Sequence, residues 1–527
     1  MATLAYTPID DIEKIQAELR AGFNSGKTKS IAYRKYQLLQ LAYLVQDNSK
    51  RFEDALVQDL DRPAVESQFL EIGASSAEFM HAYKNVESWA KPEKPKRSFN
   101  FMFMSPTTYK EPKGVVLIIT PFNYPLWLVM TPMAGAIAAG NAVVLKPSES
   151  CPTVASLLAE LFPKYIDPSL VRVVNGAIPE TTKLLELPWD HSGARVGKIV
   201  AAAAAKTLTP ASLEVPSSAI CLIQTFHLGK SPAFIDPTSD LRFIAKRLLW
   251  GKFANAGQTC VAPDYAIVAK ADQDKFVDVL KDVYAEFYPE TTTSPPGPAN
   301  ITKMVHQQAW KRVNGLLQAT QGTIVCGGEV NEAKKYIAPT IVKDVKAGDP
   351  LLSEEIFGPV LPILAVDDLD AGIAYVNAHD HPLALYAFTQ NEAFKKKVFS
   401  STQSGSASAN ETIIQPGVTG LPFGGIGASG YGYHTGKYGF LMFTHLRSSI
   451  DNPSWVDMIL GARYPPYTDK KLKAVSRLAP KLPARPTGPP TASAASNRAT
   501  RKWFFLALAV AVVGVLTKMK NRLGLGV

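Results

Sequence analysis

Val115-Val116-Leu117-Ile118-Ile119, running into Thr120-Pro121-Phe122-Asn123-Tyr124-Pro125 and then a helix-length segment from Leu126 to Ala139, decides the fold class. A short β-branched apolar run with no polar alternation is the pattern of a strand buried on both faces. The pattern recurs downstream as Ala142-Val143-Val144-Leu145 and Val171-Arg172-Val173-Val174, with another helix-length segment, Thr153 to Phe162, between them. Strands alternating with helices predict an α/β fold whose parallel sheet is covered on both faces, the doubly wound architecture that binds dinucleotides at its strand ends. Upstream, from Asp11 to about Trp89, apolar residues recur every three or four positions, as in Tyr36-Leu38-Leu39-Leu41-Ala42-Leu44-Val45, which predicts a lead-in of amphipathic helices. Past Asp236 a second alternating set begins, with a helix near Asp274 to Tyr288 and strands near Tyr336 to Val342 and Val360 to Val366, so a second α/β domain is expected.

A chain of 527 residues is too long for one ordinary core. Its formal charge of +10 raises the question of nucleic acid, but the basic residues are thinly spread until the C-terminus, and no basic helix interleaves aromatics. The four cysteines, Cys151, Cys221, Cys260 and Cys326, lie far apart, which indicates neither a metal site nor a disulfide framework. The N-terminus lacks a basic segment followed by an apolar run, and Asp10, Asp11 and Glu13 argue against a transit peptide. After Arg447 the periodicity decays, and Ala479 to Thr500 has the Pro/Ala/Ser/Thr composition of a linker. Beyond it, Trp503 to Thr517 carries no charge and is flanked by Arg501, Lys502, Lys518, Lys520 and Arg522. Such a helix would span about 22 Å against roughly 30 Å of hydrocarbon, a shortfall that snorkelling cations can cover. The competing reading, a core helix, has no adjacent core to join. The expectation is a membrane tail, either spanning the bilayer or lying in one leaflet, with the rest of the chain facing the cytosol from the endoplasmic reticulum, mitochondrial outer membrane, peroxisome or lipid droplet.

One cysteine has an unusual setting. Phe253-Ala254-Asn255-Ala256-Gly257-Gln258-Thr259-Cys260 surrounds a thiol with small and polar residues, which favours a tight accessible turn over a packed core, the commoner fate of an intracellular cysteine. Gly257-Gln258-Thr259-Cys260 resembles the active-site signature of the aldehyde dehydrogenase superfamily, and other segments match that family in order over about Ile9 to Arg447. The resemblance implies that Cys260 is a nucleophile and that Asn123, in Thr120-Pro121-Phe122-Asn123-Tyr124-Pro125, supplies an oxyanion donor. It implies that Glu214, closing Leu208-Thr209-Pro210-Ala211-Ser212-Leu213-Glu214, is a general base. For NAD or NADP it implies contacts from Thr120, Pro121, Lys146, Ser192, Gly193, Glu355 and Phe357. Lys146 lies in Leu145-Lys146-Pro147-Ser148-Glu149, and Glu355 and Phe357 in Glu354-Glu355-Ile356-Phe357-Gly358-Pro359. Pro422-Phe423-Gly424-Gly425 and Ser429-Gly430 resemble the late glycine-rich stretch. Taken singly, Asn123 reads as a turn residue and Lys146, Glu214 and Glu355 as solvated charges. Their joint order is what makes them a site.

Cys260-Val261-Ala262-Pro263-Asp264-Tyr265 and the apolar tail are similar to the class 3, fatty aldehyde branch of the family in fungi and animals. The implied layout is N-terminal helices and a dinucleotide-binding domain over 1–214, with an oligomerisation element near 86–108. A catalytic domain follows over 228–404, the end of the fold and of the oligomerisation element over 405–447, a linker over 448–500 and a membrane tail over 501–522. The implied assembly is a homodimer, and the implied reaction is oxidation of medium- to long-chain aldehydes to acids.

Two segments depart from the family pattern. Asp190-His191 runs straight into Ser192-Gly193-Ala194-Arg195-Val196-Gly197-Lys198, leaving out about four residues and with them most of one strand, since strands run ~5 to 6 residues. After Glu214, Val215 to His227 is inserted before Leu228-Gly229-Lys230-Ser231-Pro232. A short intron read through after Glu214 would leave such a trace. Two rival readings follow: a non-catalytic, membrane-tethered binding protein disabled at these two places, and a thiol acyltransferase or esterase that uses Cys260 and Glu214 without hydride transfer.

Overall fold

The computed structural model describes residues 4–96, 101–194, 197–214, 230–289, 301–477, 479 and 482–485. The expected insertion after Glu214 and the apolar tail lie outside these residues, while of the linker expected over 448–500 residues 448–477 are described and carry short helices, so that part is not a linker. Among the described residues no helix is long and apolar enough to cross a membrane.

The chain divides into two units, Met1–Pro95 with Thr107–Ser449, and Lys96–Pro106 with Ile450–Val527. In the first unit the strands of the N-terminal half are β1 (Thr107–Pro112), β2 (Val115–Ile119), β3 (Ala142–Lys146), β4 (Val171–Val173), β5 (His191–Ala194) and β6 (Ala211–Glu214). They continue with β7 (Pro232–Ile235), β8 (Tyr265–Ala269), β9 (Thr323–Cys326), β10 (Val330–Asn331), β11 (Tyr336–Ile337) and β12 (Thr340–Val345). The last five are β13 (Val360–Val366), β14 (Ala384–Phe388), β15 (Ser406–Ala409), β16 (Gly430–Tyr431) and β17 (Thr444–Ser449). Two larger sheets result, ordered β16-β6-β5-β2-β3-β4 and β15-β14-β7-β8-β13-β12-β9. In the first, β2 to β6 are parallel and β16 adds an antiparallel edge.

The alternation in the sequence has a direct physical counterpart. Every residue of β2 and of β3 is buried, because helices cover both faces of the sheet. One of those helices, Trp127–Ala139, buries 11 of its 13 residues, so it is apolar all round instead of carrying one stripe. It packs so closely on Gly436–Met442 that a Cβ on Gly135 would lie 2.6 Å from the Gly439 carbonyl carbon. The chain winds from β2 outward through β3 to β4, then returns to lay β5 on the other side of β2. A reversal of that kind opens a crevice at the carboxyl ends of β2 and β5, where a doubly wound sheet binds its ligand.

Three elements differ from what the sequence predicts. The strand expected over Tyr336 to Val342 is two strands, because Pro339 has no N–H to continue a ladder and its carbonyl accepts from the Tyr284 hydroxyl at 2.9 Å. The strand thought largely missing after Asp190 is present: β5 pairs His191 with Val116, Ser192 with Leu117 and Gly193 with Ile118. Held between β2 and β6, a four-residue segment of weak strand propensity takes its conformation from its neighbours' hydrogen bonds. In the second unit, residues beyond the decay at Arg447 form short helices, including Asp457–Leu460 and Asp469–Ser476, and Phe103 meets Trp455 edge-on at 5.0 Å.

Candidate active site

Cys260 lies on the link between helix Leu241–Phe253 and β8. It lines a cleft of about 930 Å³, open to solvent, whose walls include Phe69, Leu70, Tyr124, Trp127, Leu128, Ile413, Val418 and Phe423. The walls are chiefly apolar, so the cleft favours an apolar ligand at the thiol. Cys151 and Cys326 have other surroundings. Cys151 is only 1% exposed and burial pushes its thiol up, while burial raises that of Cys326 to about 11. Both are held in the thiol form, the unreactive one.

The turn that presents Cys260 is backbone-strained. Asn255, Ala256 and Gly257 have φ of 56°, 52° and 69°, a left-handed run that costs a non-glycine residue on the order of 1 kcal/mol each. Gly257 has a second constraint, since a Cβ there would lie 2.2 Å from the Gly358 carbonyl oxygen. The Cys260 turn therefore packs backbone to backbone on the Glu354–Pro359 loop. That loop is fixed from two sides: Arg312 donates to the Glu355 carbonyl at 3.1 Å and the Ile356 carbonyl at 2.6 Å, and the Ile356 N–H donates to Asp264 at 3.2 Å. Lys230 and Lys252 both pair with Asp264. Phe357, itself left-handed at φ 46°, is buried and meets Phe122 edge-on at 6.0 Å.

The strain in the turn is offset by a buried network that the sequence does not reveal. Asn255 donates through its amide to the Asn123 carbonyl at 2.8 Å and the Gln258 carbonyl at 2.9 Å, and its backbone N–H donates to Glu66 at 2.9 Å. Arg62, fully buried, donates to the Asn123 carbonyl and to the Asn255 side-chain oxygen, each at 2.6 Å, and pairs with the equally buried Glu71. Glu71 in turn accepts from the N–H groups of Leu126 and Trp127 at 2.7 and 3.0 Å, where the helix after Asn123 begins. The Tyr124 and Thr259 hydroxyls hydrogen-bond at 2.7 Å. Behind the turn, the Tyr386 hydroxyl donates to the Val261 carbonyl. None of Arg62, Glu66, Glu71 and Tyr386 carries a local motif, and Arg62 lies 193 positions from Asn255, so only the fold brings them together.

The other candidate residues occupy strand ends. Thr120 and Pro121 follow β2, and Lys146 closes β3, where its amine pairs with Glu149. The Thr120 hydroxyl is buried with no hydrogen-bond partner among the described residues. An orphan donor and a nearby cation at the carboxyl ends of adjacent parallel strands suit a ligand rich in hydroxyls and phosphates, so the residues present fit a dinucleotide. Ser192 and Gly193 lie in β5, beside β2. Glu214 ends β6, its backbone opposite Gly430 of β16. The structure thus brings Asn123 and the Cys260 turn into one network, and sets Thr120 just past β2 and Lys146, Ser192 and Gly193 on the two strands that flank it.

A doubly wound sheet of the kind that binds dinucleotides, joined to a second α/β layer that presents a cysteine at an apolar cleft, fits the class of dinucleotide-dependent enzymes. The comparisons make this specific. The aldehyde dehydrogenase family model matches residues 1–449, and the chain belongs to the aldehyde dehydrogenase family. It is 40% identical over 471 residues to rat aldehyde dehydrogenase family 3 member B1, covering 89% of this chain and 97% of that one. It is 39% identical to the dog aldehyde dehydrogenase called dimeric and NADP-preferring, covering 87% and 98%. A substrate-bound Staphylococcus aureus AldH superposes with a TM-score of 0.82 at 36% identity, over 88% of this chain and 99% of that one. The protein is an NAD(P)-dependent enzyme of the class 3 type that oxidises aldehydes to carboxylic acids.

Proposed function

We propose that the reaction runs through covalent catalysis at Cys260 on apolar, medium- to long-chain aldehydes, and that the enzyme works at a membrane as a homodimer. The observation that carries this reading is Cys260 on the wall of a cleft lined by Phe, Leu, Ile, Val and Trp side chains. The Cys260 thiolate adds to the aldehyde carbon, and the charge that develops on oxygen is met by the Asn123 side-chain amide and the Cys260 N–H. Bound NAD or NADP supplies the hydride acceptor. Thr120, Pro121, Lys146, Ser192, Gly193, Glu355 and Phe357 would hold it. Oxidation leaves a thioester on Cys260, and Glu214 takes a proton from the water that hydrolyses it, releasing the acid.

The membrane reading is supported by charge placement. Residues 461–485 contain seven basic and one acidic residue, and 486–527 contain six basic and none acidic, so the whole positive surplus lies beyond residue 460. Such a distribution suits the anionic face of a bilayer next to an apolar tail. The dimer reading is supported by the two-stranded β1–β17 ribbon, which carries Tyr109 43% exposed and Leu446 55% exposed. A ribbon of two strands is marginal alone and gains from a second copy.

The test is aldehyde-dependent NADH and NADPH fluorescence of the full chain in detergent, across aldehydes from two to sixteen carbons and about 1 mM cofactor, a level chosen at the upper end of usual KM values. The expected result is kcat/KM rising with chain length and no turnover by Cys260→Ala. Equal kcat/KM for acetaldehyde and hexadecanal would remove the apolar-substrate reading, and activity in Cys260→Ala would remove the covalent one.

A further inference from the structure

We infer that Arg62 and Asn255 are positioning residues that set the Asn123 amide over the Cys260 turn, so that the oxyanion donor and the nucleophile are held in register by one carbonyl oxygen. The inference rests on the reading of Asn123 as an oxyanion donor. The Asn123 carbonyl accepts two hydrogen bonds, from Arg62 at 2.6 Å and from the Asn255 amide at 2.8 Å, which use both of its acceptor directions. With its carbonyl direction fixed, the peptide plane after Asn123 cannot rotate, and the side chain on its Cα has a defined origin. The second donor is the amide of a residue in the nucleophile turn itself, and the amide's oxygen is taken by the same guanidinium edge, 2.6 Å from Arg62. Arg62, Asn123 and Asn255 therefore close a triangle whose sides join the loop after β2 to the turn before β8.

The triangle is braced from behind. Glu71 takes the other edge of the guanidinium and the first N–H groups of helix Trp127–Ala139, so the far end of the Asn123 loop answers to the same cation. The Arg62 guanidinium also lies over the Tyr124 ring, 5.0 Å from its centroid, and Tyr124 reaches Thr259. Arg62 and Glu71 are both fully buried, and an ion pair of that kind adds little net stability over an apolar filling of the same space. Its planar fork does what an apolar side chain could not, since it fixes the directions of three acceptors at once. A misplacement of about 1 Å between catalytic groups costs on the order of a hundred-fold in rate, so a device that fixes the register acts on turnover.

The test is a double-mutant cycle in the full-length protein with octanal and NAD. Asn255→Gly removes the amide while easing the left-handed strain, and Arg62→Lys keeps the charge facing Glu71 without the fork. Each is expected to lower kcat by roughly ten- to a hundred-fold. KM for octanal and NADH affinity by nucleotide fluorescence are expected to stay near those of the parent, and the melting midpoint is expected to fall by no more than the few buried hydrogen bonds lost account for. In an Asn123→Ala background, Asn255→Gly is expected to cost almost nothing further, since the group it positions is gone. Losses that multiply independently would overturn the inference, as would a kcat loss that tracks the melting midpoint. If Asn123→Ala alone is neutral, the oxyanion reading itself fails. If Asn123→Ala is costly while Asn255→Gly is neutral, the positioning role alone fails.

Discussion

The turn that carries Cys260 and the strand that carries Ser192 and Gly193 sit at opposite extremes of local support. The turn is strained, with three left-handed residues in succession, yet its side chains and backbone are tied to Glu66, Arg62, Asn123 and the Glu354–Pro359 loop. β5 is conformationally ordinary but built of His-Ser-Gly-Ala, where β2 on one side of it is all Val, Leu and Ile and β6 on the other is Ala-Ser-Leu-Glu. The Cys260 turn tolerates strain because it is surrounded by partners that determine it, while a strand of small residues persists because its two neighbours supply the ladder. The two regions should respond differently to perturbation.

The largest effect separates them on chemistry. Cys260→Ala is expected to take kcat below detection, a loss of more than about 10⁴-fold, while leaving NADH binding intact, as fluorescence titration would show. Next comes Asn123→Ala, with a loss of roughly 10² to 10³ in kcat and little change in KM. Gly257→Ala attacks the turn's packing: a side chain at φ 69° facing a carbonyl oxygen at 2.2 Å should lower stability by about 2–4 kcal/mol, read as a drop in the urea midpoint. At neutral pH the smallest effect belongs to β5. Burial, with Lys113 3.0 Å from its Nδ1 as a second cause, depresses the His191 imidazole to about 3. The folded state therefore binds fewer protons than the unfolded one between pH 6.5 and about 3, so this residue's contribution is intact above pH 6.5 and is lost as pH falls through that window, at up to about 1.4 kcal/mol per pH unit. His191→Phe should flatten that acid dependence in thermal melts. An unchanged slope would show that β5 does not bury a neutral imidazole.

The same contrast explains what could be read in the sequence. Val115–Ile119 and Ala142–Lys146 were legible because a strand buried on both faces has a continuous apolar signature, and Gly257-Gln258-Thr259-Cys260 because a nucleophile turn needs small residues in a fixed order. Arg62 was not, since its partners Glu71, Asn123 and Asn255 lie 9, 61 and 193 positions away and an arginine before a proline has no local signature of burial. The shortening against the family pattern after Asp190 points to the loss of most of β5, and the long-range pairing that keeps a four-residue strand there is invisible locally. Pro339 was passed over as an interruption because the apolar pattern continues on both sides of it.

The covalent step at Cys260 is the central claim, and intact-protein mass spectrometry after acid quench tests it most directly. Full-length enzyme mixed with octanal and excess NAD should gain one octanoyl group, mapped by peptide digestion to Cys260, and Glu214→Gln should make that adduct accumulate. Turnover of octanal with no acyl adduct in either protein, or an adduct mapped to Cys151 or Cys326, would contradict the account.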